Sequence, residues 1–197
     1  MSASVQTFRS NGKLMISGEY LVMAGARALA IPLRFGQTMS IESRDADQAE
    51  LLWISRVKEQ EWFRFSIKSG VVQIHDAVSE PSVSFIASLL KRAAELNPGF
   101  LNRPVSEVVT ANIEFDLAWG LGSSSTLVSN IAWWADVDPY ALLFNSMGGS
   151  GYDIACARSP FPLIYQLQDV DGRRLPYSEP LNFYPSFSSN IWFVYTG

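Results

Sequence analysis

The stretch Gly120-Leu121-Gly122-Ser123-Ser124-Ser125-Thr126 lies between a β-branched, strand-like segment and a run of apolar residues with helical spacing. A chain that passes from strand to helix through two glycines leaves the first helical amides where a ligand can approach the backbone closely. Those N–H groups, together with the positive end of the helix dipole, form an anion site, and phosphate is the anion they suit. The hydroxyls of Ser123, Ser124 and Ser125 add donors and ligands for a metal ion. Nothing in the chain reads G-x-x-x-x-G-K-[ST], and the G-x-G here is followed by serines, not by x-x-G, so neither the P-loop nor the dinucleotide fingerprint applies. Taken alone, the loop reads equally well as a helix N-terminus with three small polar residues.

Two further features set the loop in a pattern. Gly12-Lys13-Leu14-Met15-Ile16-Ser17-Gly18-Glu19-Tyr20-Leu21-Val22 is a strand-like apolar stretch with a lysine at its start and a Gly-Glu turn at its end. Downstream, Gly148-Gly149-Ser150-Gly151-Tyr152-Asp153-Ile154-Ala155-Cys156-Ala157 is a second glycine-rich loop that delivers one aspartate. In this order the three resemble the GHMP kinase superfamily of galactokinase, homoserine kinase, mevalonate kinase and phosphomevalonate kinase. Residues 12–22 resemble its first motif, residues 120–126 its phosphate-binding motif, and Ser150-Gly151-Tyr152-Asp153 the segment with the catalytic aspartate. Gly18-Glu19-Tyr20 is similar to phosphomevalonate kinases, and Gly151-Tyr152-Asp153-Ile154-Ala155 to a bacterial subgroup named after those five residues.

The resemblance implies an α+β fold similar to the second domain of ribosomal protein S5, and an ATP-dependent, Mg²⁺-assisted kinase acting on a small-molecule acceptor. Gly120, Gly122, Ser123, Ser124, Ser125 and Thr126 would hold the nucleotide. Phosphoryl transfer needs charge neutralisation on the phosphates and a positioned acceptor, often with a carboxylate to orient or deprotonate it. Asp153 is the candidate base, since a glycine-flanked aspartate reaches a ligand where a bulkier loop would not. Lys13 is the second catalytic candidate, pairing with Asp153 or meeting the acceptor directly. Ser124 and Glu19 are the candidate metal ligands, with the architecture of the Gly-Glu turn as the other role for Glu19. The family commonly carries a magnesium-binding glutamate on the helix before the catalytic segment, whereas Ala141-Leu142-Leu143-Phe144-Asn145 has no carboxylate. Mevalonate or phosphomevalonate are the preferred acceptors. The alternatives are a diphosphomevalonate decarboxylase-like enzyme and a non-catalytic ligand-binding relative.

With 197 residues, 48% hydrophobic and 17% charged, the chain has enough apolar material for a sizeable core. A net charge of −4 argues against nucleic acid as a partner, since phosphate-backbone binders show a basic face. A single cysteine, Cys156, excludes an internal disulfide and suits a reducing compartment. The start of the chain lacks an apolar signal core and no run is long enough to span a bilayer, so the reading is cytoplasmic, with no membrane partner. Residues 1–197 read as an N-terminal ATP-binding domain, with 160–197 the start of a C-terminal one. Family members continue into a domain with a third glycine-rich motif, so the chain reads as a fragment or a short member. The apolar face thereby exposed would favour a homodimer.

Residues 13–17, 38–43, 51–55, 62–67 and 71–74 read as an antiparallel meander. Apolar spacing over 82–96 predicts a helix stopped by Asn97-Pro98-Gly99, and 108–115 predicts a strand feeding the serine loop. A buried helix is expected over 124–135, and a short one from Asp138-Pro139 through Phe144. Strands over 162–167 and 191–195 are expected to be joined by a polar loop. His75, the lone histidine, reads as a surface or satisfied residue. Trp119, Trp133 and Trp134 could stack on adenine, although helical spacing favours the core for two of them. Cys156 reads as small-residue packing, its closeness to Asp153 leaving a reactive thiol as the other reading.

Overall fold

The computed structural model describes residues 4–68, 71–74, 80–102 and 105–194. His75 lies outside them. Strands β1 (Ser4–Ser17), β2 (Ala28–Asp45), β3 (Glu50–Val57), β4 (Gln60–Lys68) and β5 (Val71–Ile74) precede helix α1 (Glu80–Leu96). Strand β6 (Val105–Ile113) leads into helices α2 (Ser123–Trp134), α3 (Pro139–Ser146) and α4 (Tyr152–Arg158), and β7 (Leu163–Val170) and β8 (Arg173–Pro180) follow. The class is α+β, with one eight-stranded mixed sheet ordered β5-β4-β3-β6-β2-β7-β8 and β1 paired to β2.

The expected meander is corrected by β6. It inserts between β2 and β3, antiparallel to the first and parallel to the second, so the hairpins β1–β2 and β3–β4–β5 are joined only through it. A brace secures the insertion: Lys58 and Glu59 turn the β3–β4 hairpin at positive φ, and their amides donate to the Ile113 carbonyl and the Asn112 side chain of β6. Strand β2 runs 18 residues, pairing β1 along one edge while β6 and β7 share the other.

The core forms where the inward residues of the sheet, among them Met39, Ile41, Trp53, Phe65, Val109 and Ala111, meet the apolar stripe Val83, Ile86, Leu89, Leu90 and Ala93 of α1 and the buried side of α2. Asn97 ends α1 as the sequence predicts: its amide donates to the Ala93 carbonyl and its side-chain amide reaches the Ala135 carbonyl. Asp138 caps α3 by accepting from the Tyr140 and Ala141 amides, with Pro139 in the first turn.

Residues 191–194 form no strand, contrary to expectation, and Tyr195 lies outside the described residues. The partner of β7 is β8, turned at Asp171-Gly172 with φ of 53° and 76°. The stretch expected as a polar loop is an exposed edge strand, in which Pro176, Pro180 and two arginines mask the alternation. No helix among the described residues is long and apolar enough to cross a membrane.

Candidate active site

Lys13 follows a bulge in β1, one residue after a glycine that close approach demands. A Cβ at Gly12 would stand 2.9 Å from the Phe35 carbonyl oxygen and 3.0 Å from that of Leu121. The Lys13 amide donates to the Leu121 carbonyl at 2.9 Å, which ties β1 to the serine loop. Gly122 is the N-cap of α2 at φ +90°, and a Cβ there would meet Lys13 Cγ at 3.0 Å and Ser125 Oγ at 3.1 Å. Having no side chain, it caps nothing, so α2 presents its first amides, those of Ser123, Ser124 and Ser125, uncapped.

Asp153 sits in the first turn of α4, where the sequence predicts only a loop. Seven residues, four of them buried in a row from Ile154 to Ala157, leave no amphipathic period to detect. Lys13 Nζ lies 3.5 Å from Asp153 Oδ1 and 5.3 Å from the centre of the Tyr152 ring. Burial and the Asp153 carboxylate push the Tyr152 phenol far above its ordinary range, so it stays a neutral hydroxyl. Burial, then the same carboxylate, raises the Cys156 thiol to about 12. Cys156 is fully buried, which removes the reactive-thiol reading.

A cavity of about 440 Å³ brings these groups together: Lys13 and Asp153, Gly120, Gly122 and the three serines, and the second glycine loop with Leu143 and Met147. Two candidates stand apart. Thr126 is 1% exposed, its hydroxyl 2.8 Å from both Gln37 Oε1 and the Ser123 carbonyl, so it anchors the helix and does not line the cavity. Glu19 is exposed and also outside the lining, its carbonyl accepting the Leu21 amide in the turn at the end of β1. Among the described residues no group of three acidic, histidine or cysteine side chains could hold a metal. The tryptophans pack elsewhere: Trp119 against Phe35, Trp133 against Phe8 beneath the Arg158 guanidinium, and Trp134 against Phe100.

Sequence reasoning passed over the polar chain beneath the loop. Ser10 Oγ lies 2.8 Å from Asn130 Oδ1, Asn130 donates to the Gln37 carbonyl at 3.0 Å, and the Gln37 side chain meets Thr126. All four are 3% exposed or less. The signal was present, since Gln37 shares the strand parity of Met39 and Ile41 and so faces the core.

No family model and no curated protein matches the chain. Solved structures do. A Streptococcus pneumoniae phosphomevalonate kinase, in complex with phosphomevalonate and AMPPNP, superposes with a TM-score of 0.54 at 21% identity over 82% of this chain and 49% of that one. A Methanococcus jannaschii mevalonate kinase gives 0.59 at 12% over 91% and 56%, and an L. major mevalonate kinase in complex with R-mevalonate gives 0.61 at 14% over 93% and 54%. A Lactococcus lactis galactokinase shares the fold as well. The chain therefore has the fold of the GHMP kinases that its three motifs resemble, and it spans about half the length of the structures it matches.

Proposed function

We propose that the chain is an ATP-dependent kinase of the GHMP type, acting on a small molecule through a hydroxyl or phosphate acceptor, with mevalonate and phosphomevalonate the first to test. One observation carries this reading: the Lys13–Asp153 pair and the uncapped serine loop, far apart in sequence, line the same cavity. The groups fit a triphosphate, because the amides of Ser123, Ser124 and Ser125 and the hydroxyls of Ser123 and Ser124 supply donors where Gly122 lets the backbone come close, the Ser125 hydroxyl donating instead to the Gly122 carbonyl. Asp153 orients or deprotonates the acceptor, and Lys13 holds that carboxylate and offsets charge on the transferred group. Ser124 is the cavity residue suited to Mg²⁺, which would supply charge neutralisation while keeping water and phosphate oxygens as its other ligands.

The test is MgATP with a panel of acceptors: ADP formed only when mevalonate, phosphomevalonate or another hydroxyl compound is present supports the kinase, and CO₂ release from diphosphomevalonate would replace it with a decarboxylase. The lack of a carboxylate over residues 141–145 favours a second reading, a ligand-binding relative without turnover. Calorimetric binding of AMPPNP with no ADP formed across the panel would establish that instead.

A further inference from the structure

We propose that Tyr165 is a positioning residue of this site, its hydroxyl holding the second glycine loop so that Asp153 meets Lys13. The proposal rests on the kinase reading above and adds a residue that touches none of the reacting groups. Tyr165 lies inside the sheet, fully buried in β7 and paired with Ala28 of β2 on one side and Ser178 of β8 on the other. From that fixed base its hydroxyl donates to the carbonyl of Ser150. Gly151 follows at φ +88°, and a Cβ there would stand 3.0 Å from the Tyr165 hydroxyl and 3.1 Å from the Tyr140 ring, so the turn is moulded against the two tyrosines. Asp153 comes two residues later, in the first turn of α4.

The rest of the loop has little to hold it. Gly148 and Gly149 both have positive φ, and a Cβ at either would meet nothing within 4 Å. The loop is fastened at its beginning by the Gly148 amide on the Leu143 carbonyl and at its end by Tyr165. Three glycines in four residues carry high conformational freedom, so a bond from a rigid sheet to the last turn sets where the aspartate points. Burial keeps the phenol protonated far above its ordinary range, which makes it a constant donor at any working pH.

Tyr165→Phe removes one oxygen and retains the packing, so it isolates the hydrogen bond. Native-state amide exchange, read by mass spectrometry, should show the α4 amides of Ile154 and Ala155, which donate to the Gly151 carbonyl, exchanging about tenfold faster in the Phe variant, with α2 and β2 unchanged. With the acceptor that the wild-type protein phosphorylates, kcat should fall about tenfold while KM for MgATP stays put, because the serine loop is untouched. Tyr140→Phe is the control and should change neither. Wild-type exchange at those α4 amides overturns the proposal by itself, whatever the acceptor. So does an equal kcat beside loss of turnover in Asp153→Asn, an outcome that leaves the kinase reading standing. Full turnover in Asp153→Asn overturns the kinase reading, and with it any positioning role, even where the loop has loosened. Global unfolding of Tyr165→Phe also overturns it, by showing that the hydroxyl supports the fold and not the loop.

Discussion

The two glycine loops that face each other across the cavity share one plan, open early and close-packed at the glycine before the helix, but they differ in what fastens them. The serine loop is open at Gly120 but close-packed at Gly122, where a Cβ has no room beside Lys13, and Thr126, Gln37, Asn130 and Ser10 form a buried chain of hydrogen bonds under α2. The loop before Asp153 stands open at Gly148 and Gly149 and is fixed mainly where Gly151 meets the sheet. Under the kinase reading proposed above, a cradle resting on that buried chain would suit the part that binds the phosphates. A looser loop suits one that brings a carboxylate to an acceptor, and its freedom has to be limited at one point.

The largest expected effect breaks the comparison at the chemistry. Asp153→Asn should lower kcat by about 10²–10⁴-fold with nucleotide affinity nearly intact, because the acceptor loses its base while the serine loop keeps its donors. Lys13→Met should lower kcat as well, by freeing the carboxylate from its cation 3.5 Å away. Steady-state kinetics with MgATP varied separates the two parameters, and near-normal turnover in Asp153→Asn would remove that residue from the reaction. Gly122→Val comes next. A β-branched residue at φ +90° is strained, and its Cβ would stand 3.0 Å from Lys13 Cγ, so AMPPNP affinity should fall by at least about tenfold, roughly 1.4 kcal/mol. Unchanged affinity by calorimetry in a folded variant would show that the cradle lies elsewhere.

Thr126→Val sharpens the contrast in the scaffold. The valine fills the site but leaves Gln37 Oε1 buried without its partner, so unfolding by urea should show a loss of about 1–2 kcal/mol, with little change in nucleotide affinity. A large fall in affinity at unchanged stability would instead make Thr126 a ligand contact, the role its place in the motif suggests.

What the sequence disclosed follows the same division. That the serine loop, Lys13 and Asp153 would come together was legible only from the order of three motifs resembling one family, since each alone also reads as ordinary turn or cap, whereas α1 and α3 were legible because apolar spacing and an Asp-Pro cap are local signals. The insertion of β6 was not, since strand order is decided by contacts between residues distant in sequence and no local pattern records it. Strand β8 was legible but overlooked, as Asp171-Gly172 is a two-residue hairpin turn. Thr126 was assigned to the ligand because the motif ends on it, yet one residue after Ser125 the helix has already turned that side chain inward. Tyr165 carried no signal, because a tyrosine in a buried strand reads as core and its hydroxyl partner is 15 residues away.

The smallest expected effect tests the open loop. Alanine at Gly149 would occupy a left-handed conformation, φ +97°, which costs an L-residue about 1 kcal/mol, yet its methyl would meet nothing within 4 Å. A cost confined to backbone strain should lower Tm by about 2–4 °C in a chain of this size. Nucleotide affinity should stay within about twofold, since an exposed methyl disturbs no contact. Gly122→Ala has a comparable strain, at φ +90°, but also the clash with Lys13 Cγ, so the pair differs only in what the added carbon touches. Calorimetry and thermal unfolding on both should therefore give the larger loss of Tm and of affinity to Gly122→Ala. Equal losses of affinity would mean that both loops grip the nucleotide, and the division between a rigid cradle and a mobile carboxylate arm would fail.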